Sequence, residues 1–115
     1  MARSVLLQIA RDSIEEVLQA RRIIDAKMLR SEHPLLQEHF PLTCTLYLKN
    51  EVRGFYSCDA SLSLIEALQV VPKRAAFESE GFAPLGALEY LHCEIELTVE
   101  SAEGKISERD KALII

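Results

Sequence analysis

The chain has 115 residues, 49% of them apolar, and a formal net charge of −5. That size suits a single domain spanning residues 1–115, with a core that needs no disulfide or metal to hold it. The acidic balance, with basic clusters no longer than the doublets Arg21-Arg22 and Lys73-Arg74, argues against a nucleic-acid partner, because phosphate contacts need grouped Lys and Arg.

No apolar run approaches the roughly 18–20 residues that a bilayer span requires, so no membrane contact is expected. Arg11 and Asp12 interrupt the first apolar stretch too early for a secretory signal. Three cysteines without Cys-x-x-Cys spacing point to reduced thiols and hence to a cytoplasmic protein.

In chain order, Ser4 to Ala20 is expected to be an amphipathic helix. Leu6, Leu7, Ala10, Ile14, Val17 and Leu18 recur at helical spacing, and the Ser4 hydroxyl is placed to cap it. Residues 21–30 either extend this helix or start a short second one. Pro34 and Pro41 leave room for at most one helical turn between them. Leu42 to Leu48 alternates apolar and polar side chains, as a half-buried strand does. Lys49-Asn50-Glu51 breaks the alternation and Val52 to Ser57 resumes it, which predicts a β-hairpin with Asn50 at positive φ.

Ser63 and Glu66 have the spacing of a capping box that opens a helix running to about Phe77. Pro72 lies within that helix and is expected to kink it or divide it in two. Gly81 to Gly86 is a loop, followed by one helical turn in Leu85–Leu91. Residues 92–100 form the clearest strand, with Cys93, Ile95, Leu97 and Val99 on one face. After a turn at Ser101–Lys105, only Ala112–Ile115 has further strand character. The order implies an α+β fold: an antiparallel sheet of three or more strands, packed on its Cys44/Cys93 face by two main helices.

The wording of these segments resembles the AMMECR domain family. Leu6, Ala10, Arg11 and Ile14 match its opening L-x-x-x-A-R-x-x-I helix. Val52-Arg53-Gly54-Phe55-Tyr56-Ser57 stands against its L-R-G-C-I-G signature, and Ala75-Ala76-Phe77 with Phe82-Ala83-Pro84-Leu85 against its A-A-F-x-D-x-R-F-x-P-L segment. Glu89 and the strand Glu94–Val99 match the E-L and I-E-V-S-V-L segments. The signature cysteine is replaced by Phe55 and its last glycine by Ser57. The acidic and arginine positions of the second motif are Ser79 and Gly81. The resemblance therefore implies a short, divergent member whose reactive groups have been exchanged for inert ones.

Two readings of function follow. In the first, the protein is a non-catalytic interaction module, a homodimer or the partner of another protein, whose binding surface includes Arg53, Gly54, Phe55 and Phe82. Arg53 then either holds a small anion through its guanidinium fork or pairs across strands with Glu94 or Glu96. Gly54 either admits a closely approaching backbone or ligand or marks a bulge. Phe55 and Tyr47 are expected to share the sheet face away from the helices. In the second reading the protein is a thiol enzyme or redox protein using Cys58, with Arg53 and Glu78 assisting; its sulfur would need a depressed pKa. No cofactor is expected. His92, Glu94 and Glu96 project along one strand face, but alternate side chains there stand about 6.6–7 Å apart, too far to share one metal ion.

Overall fold

The computed structural model describes residues 4–112. Its fold is α+β: a four-stranded antiparallel sheet in the order β2-β1-β3-β4, with helices packed on one face. The strands are β1 (Leu42–Leu48), β2 (Glu51–Cys58), β3 (Cys93–Ser101) and β4 (Gly104–Lys111). The helices are α1 (Val5–Leu18), α2 (Ala26–Glu32), α3 (Leu64–Phe77) and the single turn α4 (Ala87–Tyr90), with a 3-10 turn at Pro34–Gln37.

Local chemistry accounts for the element ends. Ser4 accepts the amide of Leu7 and starts α1, which stops where Ala20 turns to φ 53°. Asp25 caps α2 by accepting from the Met28 amide, so residues 21–30 do not extend α1 but start a short second helix at Ala26, the other alternative expected. Ser63 and Glu66 complete the expected capping box of α3. Lys49 and Asn50 both adopt positive φ, 54° and 64°, giving a two-residue hairpin loop whose twist matches the flanking strands.

Two expectations change. α3 is not divided at Pro72 but runs as one helix from Leu64 to Phe77. Proline withholds the amide that would have reached Leu68 O, yet the helix continues through it; one turn earlier α1 is tied to α3 by the buried Ser13, whose hydroxyl donates to Gln69 O at 3.0 Å. The second change is β4, which lies where only a turn and a late strand were expected; Leu113–Ile115 lie outside the described residues.

The core sits between the sheet and the helices. Leu42, Cys44 and Leu46 of β1 join Ile95, Leu97 and Val99 of β3, and Leu7 and Ile14 of α1 meet Ile65, Leu68 and Val71 of α3. Each fully buried aliphatic side chain of this kind contributes about 1.5–3 kcal/mol. None of the helices among the described residues is long and apolar enough to cross a membrane.

Candidate functional site

The two segments that stood out in the sequence meet in space. Gly54 on the edge strand β2 faces the last turn of α3, and a Cβ added there would collide with the Ala75 carbonyl oxygen. Glycine is required because one backbone presses on another. The chain then returns to the same strand: the hydroxyl of Ser79, just past α3, accepts from Phe55 N at 2.6 Å and lies 2.8 Å from both Phe55 O and Ala75 O. These are the backbone groups of β2 that face away from β1, so Ser79 plugs part of an otherwise open sheet edge. Leu85 N donates to Ala76 O at 2.8 Å and ties down the end of the loop.

Arg53 completes this joint. The pairing of β1 with β2 slips between Leu46/Tyr47 and Gly54/Val52, leaving Arg53 at a bulge that redirects its side chain. Its Nε lies 2.8 Å from Glu89 Oε2 and its Nη2 2.9 Å from Glu89 Oε1, a bidentate pair, and Nη2 also reaches Ala83 O at 3.0 Å. The guanidinium sits 5.9 Å from the centre of the Phe82 ring. Glu89 additionally accepts the Gly86 amide at 3.1 Å. The Arg53 hydrogen bond, followed by the Gly86 amide, holds the Glu89 carboxyl down at about 2, far below its ordinary 4.5.

Two expectations for Arg53 are thereby corrected. Its partner is neither Glu94 nor Glu96, which are engaged by Arg109 and by the Tyr47 hydroxyl at 2.6 and 3.1 Å. The Nε–Nη2 edge of its guanidinium is also not open to an outside anion, because Glu89 fills it. Arg53 and Gly54 act as the clasp and the contact point that fasten the loop and α4 to β2.

Phe55 and Phe82 remain exposed, at 52% and 41%. With Tyr56, Ser57, Glu78, Ser79 and Glu80 they line a groove of about 430 Å³ along β2. Tyr47 lies on the outer sheet face as expected, but it does not extend an aromatic patch. Arg109 of β4 stacks on its ring at 4.0 Å, and the Glu94 carboxylate anchors that guanidinium. An unanticipated strand thus covers it.

The thiol constellation does not assemble. Cys58 pairs with Leu42 at the far end of β2 and packs toward the core, about 16 Å along the strand from Arg53 at roughly 3.3 Å per residue. Glu78 caps the end of α3 on the groove wall. Burial pushes the Cys58 thiol above its ordinary 9.0, an amide hydrogen bond from Leu42 only partly opposing it, and the nearby Asp59 carboxylate raises it further. Burial alone lifts Cys44 to about 12, and burial together with Glu89 lifts Cys93 to about 11. All three shifts favour the unreactive thiol. Among the described residues, no three His, Cys, Asp or Glu side chains converge as a metal would require.

No family model matches the chain, and no curated protein matches it in sequence. In three dimensions it is similar to the crystal structure of an uncharacterised protein from Pyrococcus horikoshii. The TM-score is 0.72 at 25% identity, over 82% of this chain and 48% of that one. The match therefore spans about half of the Pyrococcus protein.

Sequence reasoning passed over Ser79 and Glu89 as functional positions: the first was seen only as a lost acidic residue, the second only as a family match. A serine directly after a helix C-terminus, with an arginine–glycine pair on an edge strand, was the available signal for such a joint.

Proposed function

We propose that this chain is a non-catalytic interaction module on an AMMECR-like scaffold, and that it self-associates through the surface around Phe55 and Phe82. One observation carries this reading. Of nine large apolar side chains left exposed among the described residues, five (Val52, Phe55, Phe82, Leu88 and Leu91) belong to β2, the loop, α4 and the residue that caps α4, the segments that the Arg53–Glu89 pair holds together. Apolar side chains gathered in this way mark interfaces, whereas scattered ones do not. The Nε–Nη2 edge of Arg53, filled by Glu89, and the protonated thiols lend no support to a chemical role for the same surface.

The contact would be made by side chains and not by extending the sheet, since Ser79 already occupies the outward backbone groups of Phe55. At the opposite edge, β4 carries Lys105, Arg109 and Lys111, which discourage strand addition. Sedimentation equilibrium tests the proposal. The wild-type chain is expected to dimerise with rising concentration, and the Phe55→Ser/Phe82→Ser variant to remain monomeric with an unchanged circular dichroism spectrum. A wild-type chain that stays monomeric at every concentration refutes self-association.

A further inference from the structure

The opposite end of the sheet holds a second concavity, separate from the β2 surface. A pocket of about 140 Å³ opens between the first turn of α1, the 3-10 turn and the β3–β4 pair, walled by Leu6, Leu35, Phe40, Leu97 and Ile106. Glu108 of β4 also lines it, and among the described residues Glu108 Oε2 is buried without a hydrogen-bond partner. Its neighbour on the strand face is satisfied: Asp110 Oδ2 takes Arg11 Nη2 at 3.2 Å. The other nitrogens of Arg11 are directed to Lys111 O at 3.0 Å and Gln8 Oε1 at 3.4 Å. No cation on this face is left for Glu108 among those contacts.

A buried carboxylate oxygen without a donor is unfavourable and calls for an explanation. Water is a poor one, because a held water needs about 2–4 polar partners. Among the described residues the only other polar side chain on the wall, Ser101, already lies against Gly104 O at 2.9 Å. We infer that this pocket binds a small apolar molecule bearing a protonated amine, its hydrocarbon against Leu6, Phe40 and Leu97 and its ammonium on Glu108 Oε2. The space matches the roughly 150 Å³ cavity that accepts one benzene ring, so the apolar part is a single ring or a short alkyl chain. The carboxylate selects the cation over an anion or a plain hydrocarbon.

Titrations of the purified chain with benzylammonium, benzyl alcohol and benzoate, followed by the backbone amide resonances of Leu97, Ile106 and Glu108, test this. Benzylammonium is expected to saturate and to bind about tenfold or more tightly than the alcohol, as one charge-assisted hydrogen bond implies. Benzoate is expected not to bind. Glu108→Gln should reduce the ammonium to the affinity of the alcohol and leave the alcohol unchanged. Ile106→Arg, at an exposed position two residues along the same strand face, should supply an internal cation and abolish ammonium binding while the rest of the spectrum persists. Equal affinity for amine and alcohol, undiminished amine binding in Glu108→Gln, or no saturable shift with any probe would each overturn the inference.

Discussion

Replacing Gly54 by alanine tests whether the joint between β2 and α3 is a rigid backbone contact. The added Cβ would overlap the Ala75 carbonyl oxygen and lie 3.2 Å from Ala75 C and 3.3 Å from Ser79 Oγ. Two of these atoms are backbone in the last turn of α3, so no flexible side chain can swing aside. Forcing a methyl group into a packed contact costs about 1–3 kcal/mol. Displacing the end of α3 would also loosen the Ser79 bridge to Phe55 and Ala75, at about 1 kcal/mol for each bond lost. A loss of about 3 kcal/mol is expected, a large share of the roughly 5–15 kcal/mol that holds a domain folded. Urea unfolding measures it, and with a slope of about 1.5–2 kcal/mol per molar the midpoint should fall by about 1.5–2 M. Gly86→Ala is the control: its Cβ would meet nothing nearer than Glu89 Oε1 at 3.8 Å, and the weaker helix cap should cost only about 0.5 kcal/mol. Equal midpoint shifts for the two variants would refute the argument.

The Arg53–Glu89 clasp predicts a specific acid response. The folded Glu89 carboxyl is held at about 2, below its ordinary 4.5, so its contribution is complete above about 4.5 and disappears as the pH falls through about 2. Glu89→Gln should therefore lower the urea midpoint at neutral pH, and its deficit relative to wild type should shrink between those two values; a deficit that stays constant with pH would exclude the linkage. For the thiols, Cys58 should alkylate with iodoacetamide more slowly than a free cysteine at neutral pH, and Cys44 and Cys93 only after unfolding. A native Cys58 that outpaces the free thiol would restore the catalytic reading.

The parts of the fold with one buried face were legible in the sequence. Leu42–Leu48 and residues 93–99 alternate because α1 and α3 cover one side of the sheet and leave the other wet. β4 was illegible for the opposite reason. α1 covers little of it, through Leu6 and Arg11, most of its side chains are exposed, and Gly-Lys-Ile-Ser-Glu-Arg-Asp-Lys carries no hydrophobic period to detect. That omission spread to the outer face, since Arg109 turns Tyr47 from a candidate patch residue into a stacked one. Pro72 misled because propensity knows nothing of tertiary packing: the proline is buried in a helix that packs against α1 and the sheet. At the candidate site, the importance of Arg53 and Gly54 could be read, but not their partners: Glu89 and Ala75 are neighbours only once the loop closes.

The geometry also gives a physical reason why some positions in the two segments tolerate substitution and others do not. Gly54 and Ala75 are in backbone contact, Ala76 O receives Leu85 N, and Arg53 with Glu89 fixes the distance between strand and loop. A change at any of these positions must be absorbed by a backbone shift or leave a polar group unpaired, which packing resists. Phe55 and Ser57 are under no such constraint, because their side chains face solvent, whereas Gly81 is held to glycine by its φ of 86°. Residues that hold the joint are therefore fixed by backbone contact and paired polar groups, whereas the exposed side chains of Phe55 and Ser57 can vary without altering the fold that presents them.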